Sequence, residues 1–157
     1  MSAFVFPDLI ADGFVYSADR ARLDVPYIHQ YLSERSYWAQ HIPLEIVQRS
    51  IDNALCFGIY HDGKQVGFAR LVTDYATFGY LGDVFVDEAY RGRGLSKQLM
   101  QYIFEAEPLQ GFRRMVLVTS DAQGLYSQYG FRPLEFPERY MELRRTNVYQ
   151  KKSPGAA

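Results

Sequence analysis

The sequence is poor in cysteine, in histidine and in long apolar runs, and each shortage excludes a class of protein. The single cysteine, Cys56, allows neither an internal disulfide nor a cysteine-based zinc site, and its apolar neighbours predict a buried strand residue. No stretch approaches the roughly 20 apolar residues of a membrane-spanning helix, and the N-terminus lacks the cationic start of a secretion signal. We therefore expect a soluble cytoplasmic protein that does not bind membranes.

Neither sign of charge is in excess, because 17 Lys and Arg residues face 18 Asp and Glu residues, for a net charge of −1. A chain without a broad basic field is not expected to bind nucleic acid. The three histidines, His29, His41 and His61, include no pair at i+4 spacing, and the single cysteine forms no cluster with them, so no metal site is predicted. Aromatic residues are the one surplus: 13 Tyr, 11 Phe and one Trp exceed the needs of the core, and some should line a pocket.

Turn and cap signals predict one mixed α/β domain over residues 1–145 and a flexible tail over residues 146–157. The Asp-Gly pair at 62–63, between two apolar runs, is typical of an antiparallel hairpin, and Asp24 is a side-chain cap for the first helix. Predicted strands are 14–17, 55–61, 65–73, 80–87, 113–119, 131–134 and 139–144, and predicted helices are 25–34, a segment after Pro43, a segment after Gly94 and 122–129.

The segment Arg91-Gly92-Arg93-Gly94, between a strand and an amphipathic helix, carries the chemistry of an anion site. Two glycines free the backbone to turn its N–H groups inward, and a helix start adds unsatisfied N–H groups and partial positive charge. Arg91, Arg93 and Lys97 add full charges, so the loop is suited to a phosphate or pyrophosphate. The spacing matches neither GxxxxGK[ST] nor the dinucleotide-binding GxGxxG, which disfavours nucleoside triphosphates and NAD.

These residues resemble the acyl-CoA signature of the GNAT superfamily of N-acetyltransferases, [Q/R]-x-x-G-x-[G/A], with Ser96 as a departure at its last position. The resemblance extends to a second motif about 30 residues on, which comprises Ala122, Leu125-Tyr126 and Gly130-Phe131. It implies an α/β fold with a mixed, mostly antiparallel twisted sheet of about seven strands, four helices and splayed central strands.

The resemblance also implies direct transfer of an acetyl group from acetyl-CoA to a primary amine of a small molecule, an amino-acid derivative or a peptide. In that mechanism the backbone N–H of Val86 stabilises the carbonyl oxygen, and the Tyr126 hydroxyl protonates the departing thiolate. The residues implied to hold acetyl-CoA are Val84, Phe85, Val86, Arg91, Gly92, Arg93, Gly94, Leu95, Ser96 and Lys97.

One catalytic position departs from the related polyamine acetyltransferases, because Gly82 stands where they carry a glutamate that acts as base. Asp83 is the nearest carboxylate and a candidate catalytic residue, although alternation along a strand turns it to the face opposite position 82. Thr119 replaces the asparagine common in the family. The connection between the first two helices and the strand near position 80 are expected to form an aromatic wall for the acceptor, from Tyr37, Trp38, His41 and Tyr80.

Two other functions compete with catalysis. A non-catalytic module of the same fold that senses acyl-CoA is favoured by the absence of a glutamate at position 82 and disfavoured by Tyr126. An RNA-binding protein would use the glycine loop and the basic residues of 139–152, although such a charged end is usually solvated. The sequence leaves the acceptor amine unidentified and leaves a homodimer open.

Overall fold

The computed structural model describes residues 5–150, which form a six-stranded sheet with helices on both faces. The strands lie in the order of the chain, and every neighbouring pair is antiparallel except β5 and β6, which are parallel. The strands are β1 (Leu9–Ala11), β2 (Phe14–Ser17), β3 (Leu55–His61), β4 (Lys64–Thr73), β5 (Phe78–Val86) and β6 (Arg114–Leu117), and the helices are α1 (Val25–Gln30), α2 (Leu44–Asp52), α3 (Leu95–Phe104) and α4 (Gln123–Ser127).

The segments with the strongest local sequence signals form the predicted structures. Asp24 caps α1, since its side chain accepts a hydrogen bond from the backbone N of Tyr27 at 3.1 Å. A π-helical turn over Tyr31–Arg35 follows α1 directly, so that the two together cover the helix predicted over residues 25–34. Asp62 and Gly63 adopt φ values of 48° and 78°, as the two central residues of a tight hairpin turn require, so the predicted hairpin is confirmed as β3 and β4.

The sheet has six strands in the described residues where about seven were predicted, and two of the predicted strands are wrong. Neither 131–134 nor 139–144 forms a strand, because an alternating pattern becomes a strand only where a neighbouring backbone pairs with it. Conversely, β1 was not predicted. Its signal is the Asp12-Gly13 turn, where φ values of 53° and 81° join β1 to β2.

The core lies in two layers, one on each face of the sheet. Residues of α3, such as Leu99, pack with Phe57 on one face, while α1 and α2 pack with Cys56 and Phe68 on the other. Cys56 is buried in β3, as predicted. Residues 151–157, most of the predicted tail, lie outside the described residues, whereas Tyr149 packs against the α1–α2 layer.

Within residues 5–150, none of the helices has the length and apolar character needed to cross a membrane. The cytoplasmic location stays a prediction.

The central strands diverge, which confirms their predicted splaying. Parallel pairing between β5 and β6 begins at Phe78 opposite Arg114 and ends at Leu81 opposite Leu117. Beyond that pair β5 continues to Val86 along β4 alone. The divergence opens the sheet into a cleft whose walls are the end of β5 and the segment after β6.

We expect Leu99→Ala to lower the free energy of unfolding by about 2–5 kcal/mol, because the Leu99 side chain is fully buried between α3 and the sheet. Urea titration followed by circular dichroism measures this change. The control is Ile10→Ala, whose side chain is 75% exposed on β1 and whose loss should cost under about 1 kcal/mol. Equal losses for the two variants would contradict the packing of α3 described above.

Candidate active site

A cavity of about 920 Å³ lies where β5 and β6 diverge. Residues 80–86 of β5 form one wall, and residues 117–126, which run from the end of β6 into α4, form the other. Tyr37 and Trp38, from the connection between α1 and α2, border it as well. The cleft therefore brings together three parts of the chain that are distant in sequence.

A β-bulge in β5 shapes the cleft wall. Phe68 pairs with Phe85 and Arg70 with Gly82, so that Ala69 alone faces the two residues Asp83 and Val84. Asp83 adopts φ of +54°, a conformation that aspartate tolerates better than most residues. The bulge changes the predicted alternation, so that Gly82 and Asp83 both border the cleft.

The bulge also shifts which side chains face each layer. Leu81 and Val86 both belong to the α3 layer, although residues five apart on a regular strand point to opposite faces. Phe85 instead faces the α1–α2 layer, where its ring stacks on Tyr31 at 3.8 Å between centroids. Stacking of these two rings fixes the strand beyond the bulge.

The backbone N–H of Val86 points toward the cleft. The N–H of Asp87 donates to the carbonyl of Val66 on β4 at 2.8 Å, and successive amides of a strand point in opposite directions. The N–H of Val86 therefore points away from β4, to the side from which β6 has diverged. A donor aimed into a cleft from a fixed strand is the element that a developing oxyanion requires.

The carboxylate of Asp83 is held by two side chains. The Nε of Arg70 donates to Oδ2 at 2.8 Å, and the indole Nε1 of Trp38 donates to Oδ1 at 2.9 Å. The side chains of Arg70 and Asp83 are only 19% and 12% exposed, so the ion pair is largely shielded from water. With both oxygens engaged, Asp83 joins the bulge to the connection that carries Trp38.

The glycine loop presents an open, electropositive turn at the start of α3. Gly92 and Gly94 have φ of 78° and 76°, and no atom lies within 4 Å of the position that a Cβ would take at either residue. Gly94 is the N-cap of α3 and supplies no side-chain acceptor, so the first-turn N–H groups have no capping partner. This backbone fits a phosphate group.

The residues predicted to hold acetyl-CoA are divided between two cavities. Val84, Phe85, Val86, Arg91 and Ser96 border the cleft, and Arg93, Gly94 and Leu95 border a second cavity of about 370 Å³ beside β1 and β2. Gly92 and Lys97 are exposed on the loop and the first turn of α3, outside both linings.

Arg91 is held in place at the cleft. Its Nη2 donates to the hydroxyl of Tyr31 at 2.8 Å, and its Nε donates to the carbonyl of Val86 at 3.3 Å. These bonds hold the guanidinium of Arg91 against the end of β5.

Tyr126 reaches the opposite wall from α4, and 8% of it is exposed. Its ring meets Phe131 edge-on at 6.0 Å. Burial raises the pKa of Tyr126, and the neighbouring Tyr37 and Asp121 raise it further. The hydroxyl therefore stays protonated at neutral pH and is available as a proton donor.

Three of the four predicted acceptor residues lie at the cleft. Tyr37 and Trp38 meet edge to face at 5.0 Å, and Ser120 donates a hydrogen bond to the Tyr37 hydroxyl at 2.7 Å. Tyr80 lies on β5. His41 is exposed, has φ of +66° in the turn before α2 and does not border the cleft.

Several cleft residues were missed by the sequence prediction: Tyr31, Arg35, Arg70, Glu142 and Arg144. Glu142 and Arg144 come from the segment predicted as a closing strand. For Arg70 the sequence did carry a signal, because a charged residue within a largely apolar strand is unusual and could have marked it as a site residue. Among residues 5–150 no group of three or more His, Cys, Asp or Glu side chains is placed to hold a metal ion.

Comparison with known proteins assigns the chain to a family. The family model described as "Acetyltransferase (GNAT) family" matches residues 25–131. The chain belongs to the GNAT family of acetyltransferases.

The GNAT relatives differ widely in their sequence identity to this chain. A crystal structure of a GNAT-family protein from Xanthomonas campestris is 51% identical, with a TM-score of 0.85, over 88% of this chain and 97% of that chain. A Gibberella zeae protein whose name places it among acetyltransferases is 31% identical over 137 residues, 73% of this chain and 76% of the relative. A GNAT structure from Elizabethkingia anophelis with acetyl-CoA bound is 18% identical, with a TM-score of 0.59, over 87% of this chain and 91% of that chain, and shares the fold.

We expect Asp83 and Arg70 to be coupled by about 1–3 kcal/mol in a double-mutant cycle of Asp83→Asn and Arg70→Met, because each single change leaves the charge of a shielded partner unpaired. Asparagine tolerates the positive φ of this position, so the cycle reports the side-chain interaction. Urea unfolding of the four proteins measures the coupling. Additive losses would show that the ion pair does not stabilise the bulge.

Proposed function

We propose that this GNAT protein is an acetyl-CoA-dependent N-acetyltransferase that acetylates a primary amine of a small molecule, an amino-acid derivative or a peptide. The observation that carries the proposal is that three chemically distinct groups border one cleft: the N–H of Val86, the protonated Tyr126 and the cation of Arg91. The acetyl-CoA bound to a protein of the same fold supports acyl-CoA as the donor.

The glycine loop is proposed to bind the pyrophosphate of acetyl-CoA. Its backbone N–H groups and the start of α3 would donate to the phosphate oxygens, and Arg91, Arg93 and Lys97 would add charge. Open space above Gly92 and Gly94 fits close approach of an anion to the backbone. Residues of β5 from Val84 to Val86 would position the pantetheine part of acetyl-CoA, which carries the thioester.

The acyl chemistry is assigned to two groups on opposite walls. Acetyl-CoA supplies an activated thioester when bound. The N–H of Val86 donates to the carbonyl oxygen as negative charge develops there, and its fixed direction requires no reorganisation. Burial raises the pKa of Tyr126, so its phenol is protonated at neutral pH. The Tyr126 hydroxyl would donate its proton to the sulfur as the C–S bond breaks, and the proton that the amine nitrogen loses as the C–N bond forms would restore the phenol.

The acceptor is proposed to enter beside Tyr37, Trp38 and Tyr80. Their rings provide a surface for the apolar part of an amine and for cation–π contact with its charged form. Asp83 is proposed as a positioning residue rather than the base, because each of its oxygens already accepts a hydrogen bond, Oδ2 from Arg70 and Oδ1 from Trp38.

The second candidate function, an acyl-CoA sensor of the same fold, is favoured by the absence of an unengaged carboxylate on β5. Gly82 has no side chain, and the carboxylate of Asp83 is engaged. Two measurements distinguish the candidates: calorimetry of acetyl-CoA binding, and release of the thiol over a panel of primary amines. Binding with turnover supports the enzyme, binding without turnover of any amine supports the sensor, and no binding contradicts both.

We expect Tyr126→Phe to lower kcat by roughly 10- to 10,000-fold, because it removes the proton donor to the leaving thiolate. The affinity for acetyl-CoA should stay within about threefold, since the ring and its contact with Phe131 remain. Steady-state kinetics and calorimetry measure the two effects. Tyr60→Phe, at a buried tyrosine outside the cleft lining, is the control and should retain wild-type kcat. An unchanged kcat in Tyr126→Phe, with chemistry limiting, would remove its proposed role.

We expect Gly94→Ala to weaken acetyl-CoA binding at least about 10-fold, because the new methyl group occupies the space proposed for the pyrophosphate and strains the turn. Gly63→Ala is a matched control: φ is +78°, no atom lies within 4 Å of the Cβ position, and the residue lies in the β3–β4 turn. Both variants should lose similar stability, and only Gly94→Ala should lose affinity in calorimetry. Wild-type affinity in a folded Gly94→Ala protein would contradict the phosphate site.

A further inference from the structure

The proposed reaction requires a group that accepts a proton from the amine, and β5 does not provide one. A primary amine that adds to a carbonyl becomes cationic at nitrogen and must lose a proton before the amide is complete. Gly82 has no side chain, and each oxygen of Asp83 already accepts a hydrogen bond. Among the described residues, two further acids border the cleft: Asp121 and Glu142.

Asp121 presents an unengaged carboxylate on the wall opposite β5. It lies in the segment that joins β6 to α4, is exposed, and borders the cleft. Within residues 5–150, neither a hydrogen bond nor an ion pair engages its carboxylate. Its backbone is fixed nevertheless, because the Thr119 hydroxyl oxygen accepts hydrogen bonds from the N–H of Asp121 at 3.4 Å and from that of Ala122 at 3.0 Å. The carboxylate is therefore available to a ligand in the cleft.

Asp121 is linked both to the proposed acceptor surface and to the proposed proton donor. Its neighbour Ser120 donates a hydrogen bond to the Tyr37 hydroxyl at 2.7 Å, which joins this segment to the acceptor surface. The negative charge of Asp121 also contributes to the raised pKa of Tyr126, so the carboxylate lies near enough to that hydroxyl to act on it, whereas Glu142 makes no such contribution. Of the two acids, Asp121 is therefore the one placed to exchange a proton with both the amine and Tyr126.

We propose that Asp121 is the general base of the reaction: its carboxylate accepts the proton of the acceptor amine and returns it to Tyr126, in each case directly or through one water molecule. The proposal rests on the proposed N-acetyltransferase function and adds the proton acceptor that this function requires. Because the carboxylate comes from the segment after β6, a glutamate at position 82 of β5 is not required.

The proton and electron pairs balance over the two steps of the transfer. The neutral amine nitrogen donates its lone pair to the acetyl carbon, the C–N bond forms, and the carbonyl electrons move to the oxygen that the N–H of Val86 stabilises. Asp121 takes a proton from the cationic nitrogen. The carbonyl then forms again as the C–S bond breaks, and the sulfur takes the proton of Tyr126. Asp121 passes its proton to the phenolate, so that both residues return to their starting states and the products are an amide and a thiol.

The test begins with Asp121→Asn, which preserves the size of the side chain and removes its ability to accept a proton. The measured quantity is the rate of acetyl transfer in a single turnover, with the primary amine of the panel that the intact chain acetylates fastest, at saturation. We expect a loss of about 100-fold or more, with the calorimetric affinity for acetyl-CoA within about threefold. Asp52→Asn, the same change at an exposed residue of α2 outside the cleft lining, is the matched control and should retain the wild-type rate.

Two further variants separate proton transfer from a structural role. Asp121→Glu keeps a carboxylate at this position and should lose less than about 10-fold in the transfer rate. Asp121→Ala leaves space for a small carboxylate, so formate should accelerate it at least about 10-fold, while chloride at the same concentration should not. Thermal melts check that each variant is folded.

Several results would overturn the role of Asp121. One is an unchanged transfer rate in Asp121→Asn, including the case in which only the KM of the amine rises, because Asp121 would then bind the ammonium form without accepting its proton. Others are an Asp121→Glu protein as slow as Asp121→Asn, equal rates of Asp121→Ala in formate and chloride, or a larger loss in Glu142→Gln than in Asp121→Asn. In each of these cases thiol release by the intact chain leaves the proposed function standing, whereas no thiol release over the amine panel contradicts that function and this role together.

Discussion

The divergence of β5 from β6 is the constraint on which the site depends. Inside a sheet, every strand amide finds a partner on one side or the other, and none is free to act on a ligand. Here pairing stops after Leu81 while β5 continues, so that the N–H of Val86 has β4 behind it and a cleft in front. The same break admits α4, which brings Tyr126 to the opposite wall.

The bulge at Asp83 makes this divergence compatible with a packed core. One extra residue rotates the end of β5, so that Phe85 enters the α1–α2 layer and Val86 the α3 layer. The cost of a positive φ at a non-glycine residue is offset by two hydrogen bonds to the Asp83 carboxylate. Trp38 thereby ties the connection between α1 and α2 to the bulged backbone of β5.

Local signals in the sequence predicted the parts of the fold that local physics determines. The turn at Asp62 and Gly63 and the glycine loop each depend on a few adjacent residues. The pairing of Asp83 with Arg70 depends on a bulge that no local pattern announces. The segment 139–144 has the alternation of a strand and lacks a pairing partner among residues 5–150, so that sequence alone overpredicts it. The turn at Asp12 carried a usable signal for β1.

The most direct test of the account is the response of backbone amides to acetyl-CoA in ¹⁵N-labelled protein, followed by NMR. The account predicts that amides of residues 84–86 and 92–97 shift together at substoichiometric ligand, while those of the turn at 62–64 keep their positions. Binding that perturbs other surfaces and leaves both segments unshifted would contradict the claim that the diverged strand and the glycine loop form one acyl-CoA site.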